Sequence, residues 1–88
     1  MNVLLLTQDH CGFCAEAKQT LGRLAAEYGF SVSLLDMGSA EGQALAARGG
    51  ILFPPGLFLE GEPFSYGRLP ERKLRRELER RLGTARPV

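Results

Sequence analysis

The chain is short of the residues that would place it in several large protein classes. Only two of its 88 residues are cysteine and only one is histidine. Secreted miniproteins of this length usually depend on about four to eight cysteines, so the core rather than a disulfide framework must supply stability. A closed zinc site needs about four ligands, and His10 beside two cysteines does not complete one; no metal is expected. Long apolar runs are missing as well. The longest aliphatic stretch, Val3 to Leu6, is far short of the roughly 18 to 20 residues of a membrane-spanning helix. Met1-Asn2 lacks the basic residues that open a secretory signal. These absences lead to an expectation of a monomeric cytoplasmic protein with no membrane partner and one domain over residues 1–88.

A large excess of one charge is also lacking, since the formal net charge is +1. The balance is uneven along the chain. Residues 1–67 carry three basic residues against seven acids, a net −4, whereas from Arg68 onward eight basic residues face three acids, a net +5. A basic segment can bind nucleic acid. Here Glu71/Arg75, Lys73/Glu77, Arg75/Glu79 and Glu77/Arg81 fall at the i to i+4 spacing of paired charges on a helix face. No aromatic residues interleave with the arginines, as single-strand readers require. A solvated helix face is therefore expected, with any excess charge left to steer an acidic protein partner.

What is present is the patterning of a small α/β unit. Val3-Leu4-Leu5-Leu6-Thr7 is continuously apolar and short, as a strand covered on both faces would be. Cys14, Ala17, Leu21, Leu24, Ala25 and Tyr28 recur at steps of three and four, and Gly29 suits the end of that helix. Ser31 to Asp36 follows as a second strand, parallel to the first. Ser39 can cap a helix from Ala40 to about Arg48, which Gly49-Gly50 ends. Pro54 and Pro55 remove two amide donors, so this stretch reads as a loop. Leu57-Phe58-Leu59 and Glu62 to Tyr66 form a hairpin around Gly61, with Pro63 marking an edge strand. A last helix runs from Pro70 to Gly83 on a stripe of Leu74, Leu78 and Leu82, and Arg86-Pro87-Val88 reads as a frayed tail.

The chemistry centres on Cys11-Gly12-Phe13-Cys14, between a buried strand and the first turn of an amphipathic helix. Free amides and the positive dipole end at a helix N-terminus lower a cysteine pKa from about 8.5 toward roughly 3.5 to 7.5. A fall from about 8.5 to about 6 raises the thiolate fraction at pH 7 about thirtyfold. Cys11 comes first, at the exposed cap, while Cys14 falls with the apolar positions. Cys11 is thus expected to attack a disulfide and Cys14 to resolve the mixed disulfide. Coincidental structural cysteines are the alternative, but a chance pair would seldom land at a strand-to-helix junction. His10 is expected to be an exposed loop residue, and Phe13 to offer an apolar contact to a partner.

In these features the chain resembles the glutaredoxins and small thioredoxin-like redoxins. The Cys11 to Cys14 segment is similar to their Cys-Pro-Tyr-Cys and Cys-Gly-Tyr-Cys sites, and Pro55, six residues before Gly61, matches their cis-proline. The β-α-β-α-β-β-α order matches as well. The resemblance implies an α/β thioredoxin fold, with a four-stranded mixed sheet flanked by helices. It also implies a redox-active disulfide and no bound cofactor. In such folds the residue before the cis-proline pairs its main chain with substrate as an added strand. Here that residue is Pro54, which has only its carbonyl to offer; the alternative is that Pro54-Pro55 merely breaks the chain.

The same resemblance bears on partners. Glutathione-binding glutaredoxins carry a Gly-Gly-Cys-x-Asp segment after the last strand, whereas this chain has Tyr66-Gly67-Arg68-Leu69-Pro70. That is closer to the glutaredoxin-like reductants of ribonucleotide reductase, which take electrons from thioredoxin reductase. Gly67 would allow close approach of a ligand, and Arg68 or Arg48 could bind a carboxylate. Disulfide-containing proteins are the expected substrates, with thioredoxin reductase or, as a cosubstrate, glutathione as donor. Gly12 also resembles the position used by glutaredoxins that bind a [2Fe-2S] cluster, so a cluster carrier, or a redox-inactive binding module, is the alternative.

Overall fold

A computed structural model describes residues 1–83, so the segment Arg86-Pro87-Val88 lies outside the described residues. The elements are β1 (Asn2–Thr7), α1 (Gly12–Tyr28), β2 (Ser31–Asp36), α2 (Ala40–Gly49), β3 (Gly56–Leu59), β4 (Glu62–Tyr66) and α3 (Glu71–Leu82). The four strands form one mixed sheet in the order β2-β1-β3-β4. β1 pairs in parallel with β2 and antiparallel with β3, and β4 runs antiparallel to β3. This is the α/β arrangement of a thioredoxin-like fold. The apolar run of Val3 to Leu6, buried except for the half-buried Leu4, is thereby explained, because β1 has a strand on each edge and helices on each face.

The pleat of β1 divides the core in two. Val3 and Leu5 pack with Leu57 and Leu59 of β3, with Ala17, Leu21, Leu24 and Tyr28 of α1, and with Leu74 and Leu78 of α3. Leu6 points the other way, into a smaller cluster with Phe58, Ile51 and Ala46 of α2. Successive side chains on a strand face opposite sides, so α1 and α3 cover one face and α2 the other. Among the described residues no helix is long and apolar enough to cross a membrane.

Several local expectations are corrected. Leu82 is 37% exposed, so the buried stripe of α3 is Leu74 and Leu78 alone. Pro70 sits at the N-cap of α3 instead of in its first turn, and makes no side-chain cap. α2 extends through Gly49, and Gly50 in the left-handed region ends it. The hairpin turn places Glu60 as well as Gly61 at positive φ, as a two-residue turn matched to strand twist requires. Pro63 does lie on an edge strand, and a bulge in β4 accompanies it.

The charge pairs of α3 are only half those that spacing predicts. Glu71–Arg75 and Glu77–Arg81 form. Arg75, however, donates to Glu27 of α1 at 2.6 Å rather than to Glu79. Glu79 accepts the Tyr28 hydroxyl at 2.8 Å, and Lys73 sits 5.5 Å from the Phe64 ring centroid. Packing of α3 against α1 brings in these competitors, which a single-helix reading omits.

Candidate functional site

β1 ends at Thr7, and residues 8–11 turn the chain into α1. His10 makes that turn in the left-handed region, φ 57°, with its side chain exposed. Cys11 then serves as N-cap in an extended conformation, and its Sγ accepts a hydrogen bond from the Cys14 backbone N–H at 3.2 Å. A side-chain acceptor at this position satisfies one of the orphan amides of a helix start, so sulfur here takes the place that serine or aspartate usually fills. No acidic residue lies in the first turn of α1 to oppose negative charge on that sulfur.

Cys11 and Cys14 form a disulfide, with Cα atoms 5.2 Å apart. The two differ in setting: Cys11 is half-buried at the mouth of an open cleft beside Asp9, His10 and Lys18, whereas Cys14 is 2% exposed. Phe13, between them, projects outward at 46% exposure. Among the described residues no group of three or more His, Cys, Asp or Glu side chains is placed to hold a metal ion.

The expected cis bond is present at Pro54-Pro55. Pro55 is buried and Pro54 half-buried. The loop is held to the other side of the site, since the Gly67 N–H donates to the Pro55 carbonyl at 2.8 Å. Gly56, next in the chain, pairs with Leu6 and Tyr66, which sets this loop at the end of the sheet where β1 runs out toward Cys11. Arg68 closes the circuit, its guanidinium 5.9 Å from the Phe13 ring centroid. Phe13, Pro55, Gly67 and Arg68 are thus linked around one end of the sheet.

Two of the expected binding residues have neighbours that chain order does not show. Arg48 lines a cavity with Asn2, Leu4 and Gly61; these belong to the start of β1 and the far hairpin turn, so Arg48 is at the opposite end from Cys11. Gly67 does permit a close approach at φ 77°, but the approaching group is Phe53: a Cβ at Gly67 would lie 2.8 Å from the Phe53 ring. Phe53 also stacks edge-on against Tyr66, with ring centroids 5.0 Å apart. Sequence reading missed Phe53 and Leu52, because a run of apolar residues ending in two prolines has no periodicity to show which side chains stay outside.

Comparison with known proteins follows the same lines. A family model described as Glutaredoxin-like domain (DUF836) matches residues 2–79. A search of curated proteins found no match.

Proposed function

The chain belongs to the glutaredoxin-like domain family, and from that premise we propose that it is a dithiol thiol-disulfide oxidoreductase working through Cys11 and Cys14. One observation carries the reading: the outer sulfur accepts an amide of the α1 N-terminus while the inner one is enclosed. In the reduced protein that amide and the helix dipole favour a thiolate on Cys11 over the neutral thiol.

The cycle balances with two electrons and two protons. Cys11 thiolate attacks one sulfur of a substrate disulfide, breaking the S–S bond and releasing a thiolate that takes up a proton. Cys14, deprotonated in turn, attacks the Cys11 sulfur of the mixed disulfide, expels the second substrate thiol and forms the Cys11–Cys14 bond. An external thiol reductant then restores both cysteines. We propose disulfide-containing proteins as substrates and the reducing cytoplasm as the setting. Thioredoxin reductase is the preferred donor, because Tyr66-Gly67-Arg68 stands where a glutathione-binding segment would.

Iodoacetamide alkylation of the reduced protein against pH tests this reading, with the disulfide exposed in parallel to glutathione and to a thioredoxin reductase. Cys11 should be alkylated with a midpoint below the ordinary thiol value of about 8.5, and one donor should reduce the disulfide. A midpoint at or above that value, with neither donor effective, would remove the catalytic role. Turnover with glutathione alone would reverse the donor assignment.

A further inference from the structure

Large exposed apolar side chains are concentrated beside the disulfide. Phe13, Leu52, Phe53 and Tyr66 are 46%, 74%, 52% and 41% exposed. Three of them are connected in turn: Phe13 lies under Arg68, Gly67, next to Arg68 in the chain, meets the Phe53 ring, and Phe53 packs edge-on against Tyr66, while Leu52 is the chain neighbour of Phe53. A contiguous apolar patch on a soluble chain marks a contact surface. A small thiol compound would leave most of it in water.

The patch also has a charge. Arg68 is exposed, and among the described residues it forms no ion pair with a carboxylate; its contact is the face of Phe13. A guanidinium held over a ring keeps its N–H donors free for a carboxylate. On the other flank of Cys11 the cleft mixes Asp9 with Lys18 and His10 and presents no single sign of charge, so Arg68 is the group beside the apolar residues that favours a carboxylate.

We propose that the site selects extended protein segments in which an apolar residue adjoins the disulfide cysteine and a carboxylate follows on the Arg68 side. The apolar residue packs on Phe13 and Phe53, and the carboxylate pairs with Arg68. This selectivity rests on the thiol-disulfide reading above.

Four short peptide disulfides, with Leu or Gly next to the cysteine and Glu or Lys two residues beyond, test it with the pre-reduced full chain. Reduction rates are followed by the thiols released, and 2-hydroxyethyl disulfide serves as the small control. Leu should exceed Gly by roughly tenfold, and Glu should exceed Lys by about twofold to fivefold, the range of an exposed ion pair. Arg68→Glu should invert the Glu-to-Lys ratio, and Phe53→Ser should collapse the Leu-to-Gly ratio. Equal rates on all four peptides, or ratios unmoved in both variants, overturn the selectivity while reduction of 2-hydroxyethyl disulfide leaves the redox reading standing. Failure to reduce any disulfide, the small one included, overturns both.

Discussion

Gly67 shows how one residue without a side chain can decide the shape of a site. Its backbone lies at φ 77°, its N–H holds the Pro55 carbonyl, and the Phe53 ring occupies the space where a Cβ would stand. Gly67→Ala should therefore meet both a strained backbone and a ring, at a cost of about 1–3 kcal/mol. Urea unfolding would register it as a lower midpoint, and Phe53→Ala added to Gly67→Ala should recover part of the loss. An unchanged midpoint in the single variant would mean that Phe53 does not press on this position. The cysteine pair was legible in the sequence because its meaning depends on chain neighbours, a strand before and a helix after. Phe53 was not, because its position depends on Gly67, fourteen residues away in the chain.

At the level of elements, α1 and α2 each contain a glycine whose surroundings give opposite expectations. Gly22, on the outer face of α1, has nothing within 4 Å of a built Cβ, whereas a Cβ at Gly42 in α2 would overlap the Asp36 carbonyl oxygen. Gly22→Ala should stabilise the protein by about 0.5–1 kcal/mol through helix propensity; Gly42→Ala should destabilise it, because a backbone atom cannot move aside as a side chain can. Thermal unfolding of the two variants should bracket the parent, and a lower Tm for Gly22→Ala would contradict this account of α1. Most element boundaries were readable from apolar spacing and from glycine and proline positions. Leu82 departed because a stripe continues in sequence after the partner surface has ended. The partners of α3's charges departed because Glu27 and Tyr28 reach them only through tertiary packing.

For the whole molecule, those charges link α1 to α3. Arg75 joins Glu27 and Glu71, Arg23 reaches Glu71, and Tyr28 donates to Glu79. The hydrogen bond from Arg75 lowers the Glu27 carboxyl below its usual 4.5, while bonds from Arg80 and then Arg81 bring Glu77 down to about 2. Burial, followed by the bond to Glu79, pushes the Tyr28 phenol up. A carboxyl with a depressed folded pKa contributes stability that is fully present above its unfolded value and is lost as pH falls through the folded one. Resistance to urea should thus be flat from neutral pH to about 5 and decline between about 4.5 and 2. Glu77→Gln should make that decline shallower. Because the pairs are exposed, molar salt should shrink the effect; a pH-independent midpoint across this range would show that they contribute nothing.

α1 starts from the Cys11 cap, the sulfur proposed to react, and carries this charge clamp at its last turn. Seventeen residues of helix separate the two by about 25 Å, more than twice the roughly 8–10 Å over which ions in physiological solution leave charges in communication. Reactivity and durability are therefore independent settings of one rod. Replacing Glu27 or Arg75 should retune the temperature and acidity that the protein survives without altering the reactivity proposed for Cys11, and changes around Phe13 or Arg68 should alter the proposed partner selectivity without loss of that resilience.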